Sequence, residues 1–372
     1  MTTASLTSNT RWRIISIWFV TRLIVLGSAA VGSWAVVTGD NSISQYFTIW
    51  RQWDTKWFES IAVYGYVGPY VDAFQDFQYN VAFFPGYPAT MKLGMLAGLS
   101  PTAAGMLVSL IASLVAGFAL ARLTRDIGGR PELGVLAFLV APTAVFLTGA
   151  YTEALFCAFA FWAWVFARNH SWVWAGVLAA CAALVRPNGI FLAIGLIVMF
   201  LIAKPRDWKR GSALLLPFVA TLGYFAYLKA ITGNWMAWSA SQSEYWERHL
   251  VDPITSLLNT YRLIFTFSPT GEPSSRLVTE ILAMAILVLF TVVLFRKRMW
   301  AEATYVLVTV LSLGTSTMYH SVPRTMVVIF PVWMLLGLWM TKHRWFRWAY
   351  VIVSLPVLIL VTIRFTQGQW IS

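Results

Sequence analysis

The sequence predicts an all-α polytopic membrane protein, and three observations carry that reading. Of 372 residues, 59% are hydrophobic and 11% charged, whereas soluble domains carry about 25% charged residues. Mean hydropathy is +0.68. Apolar stretches recur along the whole chain at close to the ~20 residues that cross a bilayer, without the short alternating segments of a β-barrel. The net charge of +12 fits basic loops on the cytoplasmic side of a membrane better than a nucleic-acid partner, and none is expected. Cys157 and Cys181 sit inside apolar runs, with neither a disulfide framework nor metal-ligand spacing.

The first span runs from about Trp12 to Val37. Arg11 and Arg13 precede it, and it is too long for the core of a signal peptide, so it reads as a retained helix. Residues 38–101 form a first external loop, and within its polar part, Thr38 to about Ala82, Asp40, Asp54, Glu59, Asp72 and Asp76 face only Arg51 and Lys56. Inside it lies Trp50-Arg-Gln-Trp53-Asp54-Thr55-Lys56-Trp57-Phe58-Glu59-Ser-Ile61-Ala-Val-Tyr64-Gly65-Tyr66. Helical spacing puts Trp53, Trp57, Ile61 and Tyr64 on one face, and Gly65 stops the helix. Trp and Tyr favour the membrane–water boundary, so this helix is expected along the surface, holding Asp54 at headgroup depth.

Whether Ala82-Phe-Phe84-Pro85-Gly86-Tyr87-Pro88 and the following Ala89–Leu99 cross the membrane decides every later loop. If they lie on the outer surface or re-enter, the basic loops at 122–130, 204–210, 296–298 and 342–347 all face the cytoplasm. With Arg11, Arg13 and Arg168 they hold sixteen of the 27 Lys and Arg, against Asp126, Glu132, Asp207 and Glu302. That arrangement satisfies the positive-inside rule. Ten further spans follow, at roughly 102–121, 133–149, 152–167, 172–185, 189–203, 212–231, 277–295, 301–318, 325–340 and 348–365. Residues 232–275 form a second long external loop with Glu244, Glu247, Asp252, Glu272 and several Trp and Tyr. The chain reads as one transmembrane domain, 1–372.

This parity brings Asp54, Glu153, Arg186, His320 and Arg324 to the external ends of spans. Ionisable groups at such positions are costly and are functional candidates. Plainer readings stand beside each. Arg186 can snorkel to the interface before Pro187 starts a helix. Glu153 can be a buried acid paired for packing, His320 a helix cap, and Asp72 and Asp76 solvated charges, one of which could add a carboxylate to the site. A positioned carboxylate can take a proton from an acceptor hydroxyl as it attacks a sugar carbon, and one base suffices for inversion. Arginines hold a leaving phosphate through a planar, permanently charged fork. An acid with two arginines at headgroup depth therefore suits transfer from a lipid phosphate. It also suits a transporter or flippase for a lipid-linked or anionic substrate, although a transport site belongs near mid-membrane.

Trp53-Asp54…Trp57-Phe58…Ile61-Ala62…Tyr64-Gly65-Tyr66, followed by Ala82–Pro88, resembles the PIG-V family of mannosyltransferases. Ala150-Tyr-Thr-Glu153-Ala-Leu-Phe156 and Arg186-Pro-Asn188-Gly189 are similar to family blocks in the same order, and Pro323-Arg324 is a looser match. In eukaryotes that family adds the second mannose of the glycosylphosphatidylinositol anchor, and related sequences occur in bacteria. The resemblance implies a GT-C-like bundle of about eleven transmembrane helices, with interfacial helices in the first external loop and Asp54 as catalytic base. It implies a polyprenyl-phosphate-mannose donor and a glycolipid or lipid-linked acceptor. In that reading Arg186, Arg324, His320, Glu153, Lys56, Tyr319 and Asn188 bind the donor phosphate and sugar. No cofactor and no metal are expected beyond the lipid-phosphate donor, which is a co-substrate. The expected location is the plasma membrane, with the site on its extracytoplasmic face.

Overall fold

The structure, a computed structural model, describes residues 6–33, 43–67, 77–266 and 275–371. The expectations for Asp40, Asp72, Asp76 and Glu272 fall outside the described residues. Every described element is helical, apart from an isolated antiparallel bridge between Leu250 and Ser316. The chain is an all-α polytopic membrane protein, as its composition requires.

Five helices are long and apolar enough to cross a membrane: Ser8–Ser33, Pro101–Asp126, Trp208–Thr232, Arg276–Arg296 and Arg344–Thr366. Trp172–Val185, Asn188–Ile202 and Trp300–Gly314 are shorter apolar helices. All eleven stretches read as spans carry helix. We number the helices in chain order: α1 (Ser8–Ala29), α2 (Ile43–Thr48), α3 (Thr55–Tyr64), α4 (Phe77–Asn80), α5 (Gly86–Leu96), α6 (Pro101–Asp126), α7 (Pro131–Leu139), α8 (Thr152–Arg168), α9 (Trp172–Val185) and α10 (Asn188–Ile202). There follow α11 (Trp208–Gly211), α12 (Leu216–Thr232), α13 (Ala237–Glu244), α14 (Pro253–Thr266), α15 (Ser275–Arg296), α16 (Trp300–Gly314), α17 (Val322–Met326), α18 (Phe330–Lys342) and α19 (Arg344–Thr366).

Helix α8 lies at the centre, packed against α6 and α9. It is apolar nearly all round and buried along most of its length, as a helix enclosed by others must be. Helices α1 and α19 pack on each other and leave Trp12, Phe19, Ile352 and Val353 exposed, the surface expected against lipid. Helix α5 has 11 residues, a length of about 16 Å, which is too short to cross a ~30 Å hydrocarbon layer by itself.

Two of the expected spans are broken. The stretch 133–149 is α7, then a 3-10 turn at Ala144–Leu147. Pro142 interrupts the ladder, because it has no N–H to donate. The freed carbonyls need a donor inside the bundle. Arg22 supplies it from α1: Nη2 donates to Leu139 O at 2.9 Å, and Nη1 donates to Ala144 O at 3.1 Å and to Thr148 Oγ1 at 2.7 Å. The stretch 325–340 is likewise divided. Arg324 belongs to the short α17, and α18 starts only at Phe330, followed by Pro331. Trp333 Nε1 donates to Val327 O at 2.9 Å and Tyr305 Oη to Val328 O at 3.1 Å, so the interruption is satisfied by side chains.

The Trp-rich helix expected from the sequence is α3, closed by Gly65 at φ 80°. Its buried face carries Trp57, Phe58 and Ile61. Trp53 departs from the expectation: its φ is 50°, so it stands outside the helix and points elsewhere. The expected loop 232–275 contains α13 and α14. It is tied back to the first loop, where Trp238 Nε1 donates to Ala82 O at 3.1 Å and Tyr245 packs on Tyr79 with ring centroids 5.0 Å apart.

Candidate active site

The two broken segments converge with the start of α3. Asp54 is only 8% exposed. It precedes α3 but makes no capping bond, which leaves its carboxylate for a distant partner. That partner is Arg324, whose Nη1 donates to Asp54 Oδ2 at 2.5 Å. Arg324 Nε donates to Glu153 Oε1 at 2.5 Å, and Arg186 Nη1 donates to the same oxygen at 2.5 Å. Arg186 Nη1 also reaches Thr152 Oγ1 at 2.7 Å. The result is an alternating chain Asp54–Arg324–Glu153–Arg186, with no net formal charge and with Glu153 fully buried. Buried charges persist when they are paired or fully hydrogen-bonded. Arg324 is further held between aromatic faces, its Cζ 4.6 Å from the Tyr151 ring and 5.0 Å from Phe146.

Each member is set by local structure. Tyr151 Oη donates to Gln52 O at 2.9 Å, just upstream of Asp54. Glu153 is in the first turn of α8, where an acid is favoured by the helix dipole. Arg186 ends α9 in extended backbone, and Pro187 precedes α10. The Phe-Phe-Pro-Gly stretch sets that end of α9: a Cβ on Gly86 would stand 2.8 Å from Leu184 O, so only glycine allows the approach. The stretch is itself anchored by Tyr66 and Tyr224, which donate to Phe83 O at 2.6 Å and 2.8 Å. Arg324 is positioned by Glu280, whose two oxygens accept from Ser321 N at 2.9 Å and Val322 N at 2.7 Å. Thr143 Oγ1 ties the other broken segment to Pro323 O at 3.2 Å.

The remaining expected residues lie at varying remove. His320 is four positions before Arg324, with its ring 5.4 Å from Trp370, which in turn meets Trp53 edge-on at 4.6 Å. Burial, then the charges of Arg248, Arg276 and Arg324, push its imidazole down to about 3, so it is neutral at ordinary pH. Tyr319 is buried and its backbone N–H donates to Thr260 Oγ1 at 2.8 Å. Asn188 opens α10 and is 9% exposed. Lys56 is exposed, with its ammonium 4.4 Å from the centre of the Trp57 ring rather than on the charge cluster.

Three charged residues were not singled out from the sequence. Arg22 and Glu280 interrupt apolar runs, and the rule that finds Glu153 applies equally to them; both hold the frame. Arg248 carried no signal beyond being one charge in a polar loop. It keeps accessible surface yet lies among Asp54, Arg324, Arg186 and Glu280, all near enough to act on its charge. Among the described residues no carboxylate comes within ion-pair distance of Arg248 or Arg276. Among those residues, too, no three of His, Cys, Asp and Glu gather as a metal would require.

Residues 32–204, just under half of the chain, match the model of the mannosyltransferase (PIG-V) family. That part of the chain is PIG-V-like. The GPI alpha-1,6-mannosyltransferase 2 of Mus musculus is 34% identical over 153 residues, which cover 37% of this chain and 29% of that protein. The Homo sapiens protein of the same name is 32% identical over 152 residues, with the same coverage. The match thus spans less than a third of these relatives. No solved structure matches. Asp54, Glu153 and Arg186 fall inside the PIG-V-like stretch, whereas Arg324, which links two of them, comes from beyond it.

Proposed function

We propose that the chain is an integral-membrane glycosyltransferase. It moves a mannosyl residue, with inversion, from a polyprenyl-phosphate donor to a glycolipid or other lipid-linked acceptor. The observation that carries this reading is the Asp54–Arg324–Glu153–Arg186 chain, built on segments of which most lie in a PIG-V-like stretch.

Asp54 acts as general base. One of its oxygens is held by Arg324, and the other accepts no hydrogen bond among the described residues. The acceptor hydroxyl loses its proton to that carboxylate as its oxygen bonds to the anomeric carbon. The bond from that carbon to the phosphate oxygen breaks, and the lipid phosphate leaves with the electron pair. Fixed cations lower the energy of that leaving charge. Arg324 and Arg186, each already paired with a carboxylate, offer their remaining guanidinium N–H donors to it. Arg248 and Arg276, which have no described carboxylate within ion-pair distance, add positive charge near the same end of the site. Neutral His320, Tyr319 and Asn188 orient the sugar, and Lys56 attracts the donor toward the loop.

The site faces the extracytoplasmic side of the plasma membrane. Support comes from the distribution of basic loops and from an α5 too short to cross. The short helices of 38–101 rest along that surface as part of a GT-C-like domain, and the helices of 232–275 cover the entrance. The test is incubation of purified protein with mannosyl-phospho-polyprenol and candidate glycolipid acceptors, read by mass spectrometry. Transfer to an acceptor is the expected result. Counterflow in proteoliposomes without a sugar donor, and no transfer, would replace the enzyme by a transporter.

A further inference from the structure

A second feature lies at the other end of the bundle. Glu280 and Lys297 are 17 positions apart along α15 and its end, about 25 Å by helical rise, so this feature is remote from the charge cluster. There α15 and α18 border a slot of about 290 Å³, walled by Leu289, Phe290, Val293, Leu335, Leu336 and Trp339. Its mouth carries Lys297 and Lys342. Both lysines are exposed, and among the described residues neither has a carboxylate within ion-pair distance. Leu289 is 60% exposed and Trp339 48%, so the wall faces outward, where a membrane supplies acyl chains.

We propose that this slot is a binding site for an anionic phospholipid, with an acyl chain along the apolar wall and the headgroup phosphate between Lys297 and Lys342. The charge pattern selects this occupant. Two unpaired ammonium groups at the mouth are costly against an apolar helix of a partner protein, and a free phosphate gains nothing from the leucine wall. Basic pockets between helices on the cytoplasmic side recognise acidic headgroups, and an indole at the same level fits the headgroup boundary.

The experiment is native mass spectrometry of the full chain, delipidated and then incubated with phosphatidylglycerol or phosphatidylcholine of identical chains. Retention of phosphatidylglycerol is expected to exceed that of phosphatidylcholine roughly 10- to 30-fold, the pull of two lysines at a membrane surface. Lys297→Gln with Lys342→Gln brings the two lipids level. Val293→Trp, which fills the slot and leaves both charges, lowers retention of phosphatidylglycerol. Arg344→Gln with Arg347→Gln, at the same end but outside the slot, keeps the wild-type preference. Equal retention of both lipids by the wild type would overturn the proposal. So would an unchanged preference in the lysine double variant, or displacement of the lipid by inorganic phosphate at matched concentration.

Discussion

Arg324 Nη1 and Asp54 Oδ2 stand 2.5 Å apart across 270 positions of sequence. This contact ties the first loop to the C-terminal half, and the same guanidinium holds Glu153 through Nε. The loop carboxylate is thereby aimed by a residue that lies outside the PIG-V-like stretch. Asp54→Asn is expected to lower transfer by about 10²- to 10⁴-fold, the usual contribution of a general base. Elution as a single folded species, with donor still bound, checks that the loss is chemical. Transfer near the wild-type rate by that variant would take Asp54 out of the base role.

Glu153 faces two arginines with one oxygen. Glu153→Gln leaves Arg186 without a counter-charge and Arg324 with Asp54 alone, at an expected cost of about 3–5 kcal/mol. Adding Arg186→Gln removes the one surplus positive charge. A thermal-unfolding cycle in detergent therefore shows the double variant more stable than Glu153→Gln alone, with a coupling of about 0.5–3 kcal/mol. Strict additivity would mean that the two side chains do not share the site.

Gly86 tests the Phe-Phe-Pro-Gly stretch. Gly86→Ala places a methyl 2.8 Å from Leu184 O, two residues before Arg186, at an expected cost of about 1–3 kcal/mol. Activity falls further than stability, because the displaced backbone carries the guanidinium. Gly65→Ala, at φ 80° with open space around it, lowers stability through strain at the end of α3. The ratio of activity loss to Tm loss separates the two variants.

His320 gives the protein an acid-sensitive point. Its pKa is about 3 in the fold, against about 6.5 for the unfolded side chain. Below pH 6.5 the unfolded state therefore binds the extra proton, and stability falls as pH falls, with a slope approaching about 1.4 kcal/mol per pH unit. Well above pH 7 the unfolded imidazole is neutral too, and the slope fades to nearly nothing by about pH 8. Replacing it by Gln is expected to shrink the Tm difference between pH 7 and pH 5; an unchanged difference would place the acid sensitivity elsewhere.

The membrane class and the positions of α8, α9, α10 and the long helices were legible because lipid imposes composition and length on a chain, and both are local. Asp54, Glu153, Arg186 and Arg324 were legible for a related reason: a charge in an apolar context is expensive wherever it sits. The breaks in α7 and before α18 were not, since helix continuity depends on whether Arg22, Tyr305 or Trp333 can reach a freed carbonyl. The position of Trp53 escaped the helical pattern because one residue with positive φ redirects the chain.

By itself, the sequence determined an all-helical membrane protein with a few costly charges and a loop resembling the PIG-V family, because hydropathy and motif spacing act residue by residue. Only the tertiary structure decided that four of those charges join in one neutral alternating chain, that Lys56 stays apart and that Arg248 comes within electrostatic range of them. Pairing depends on distances across hundreds of residues, and those distances are set by how the helices pack.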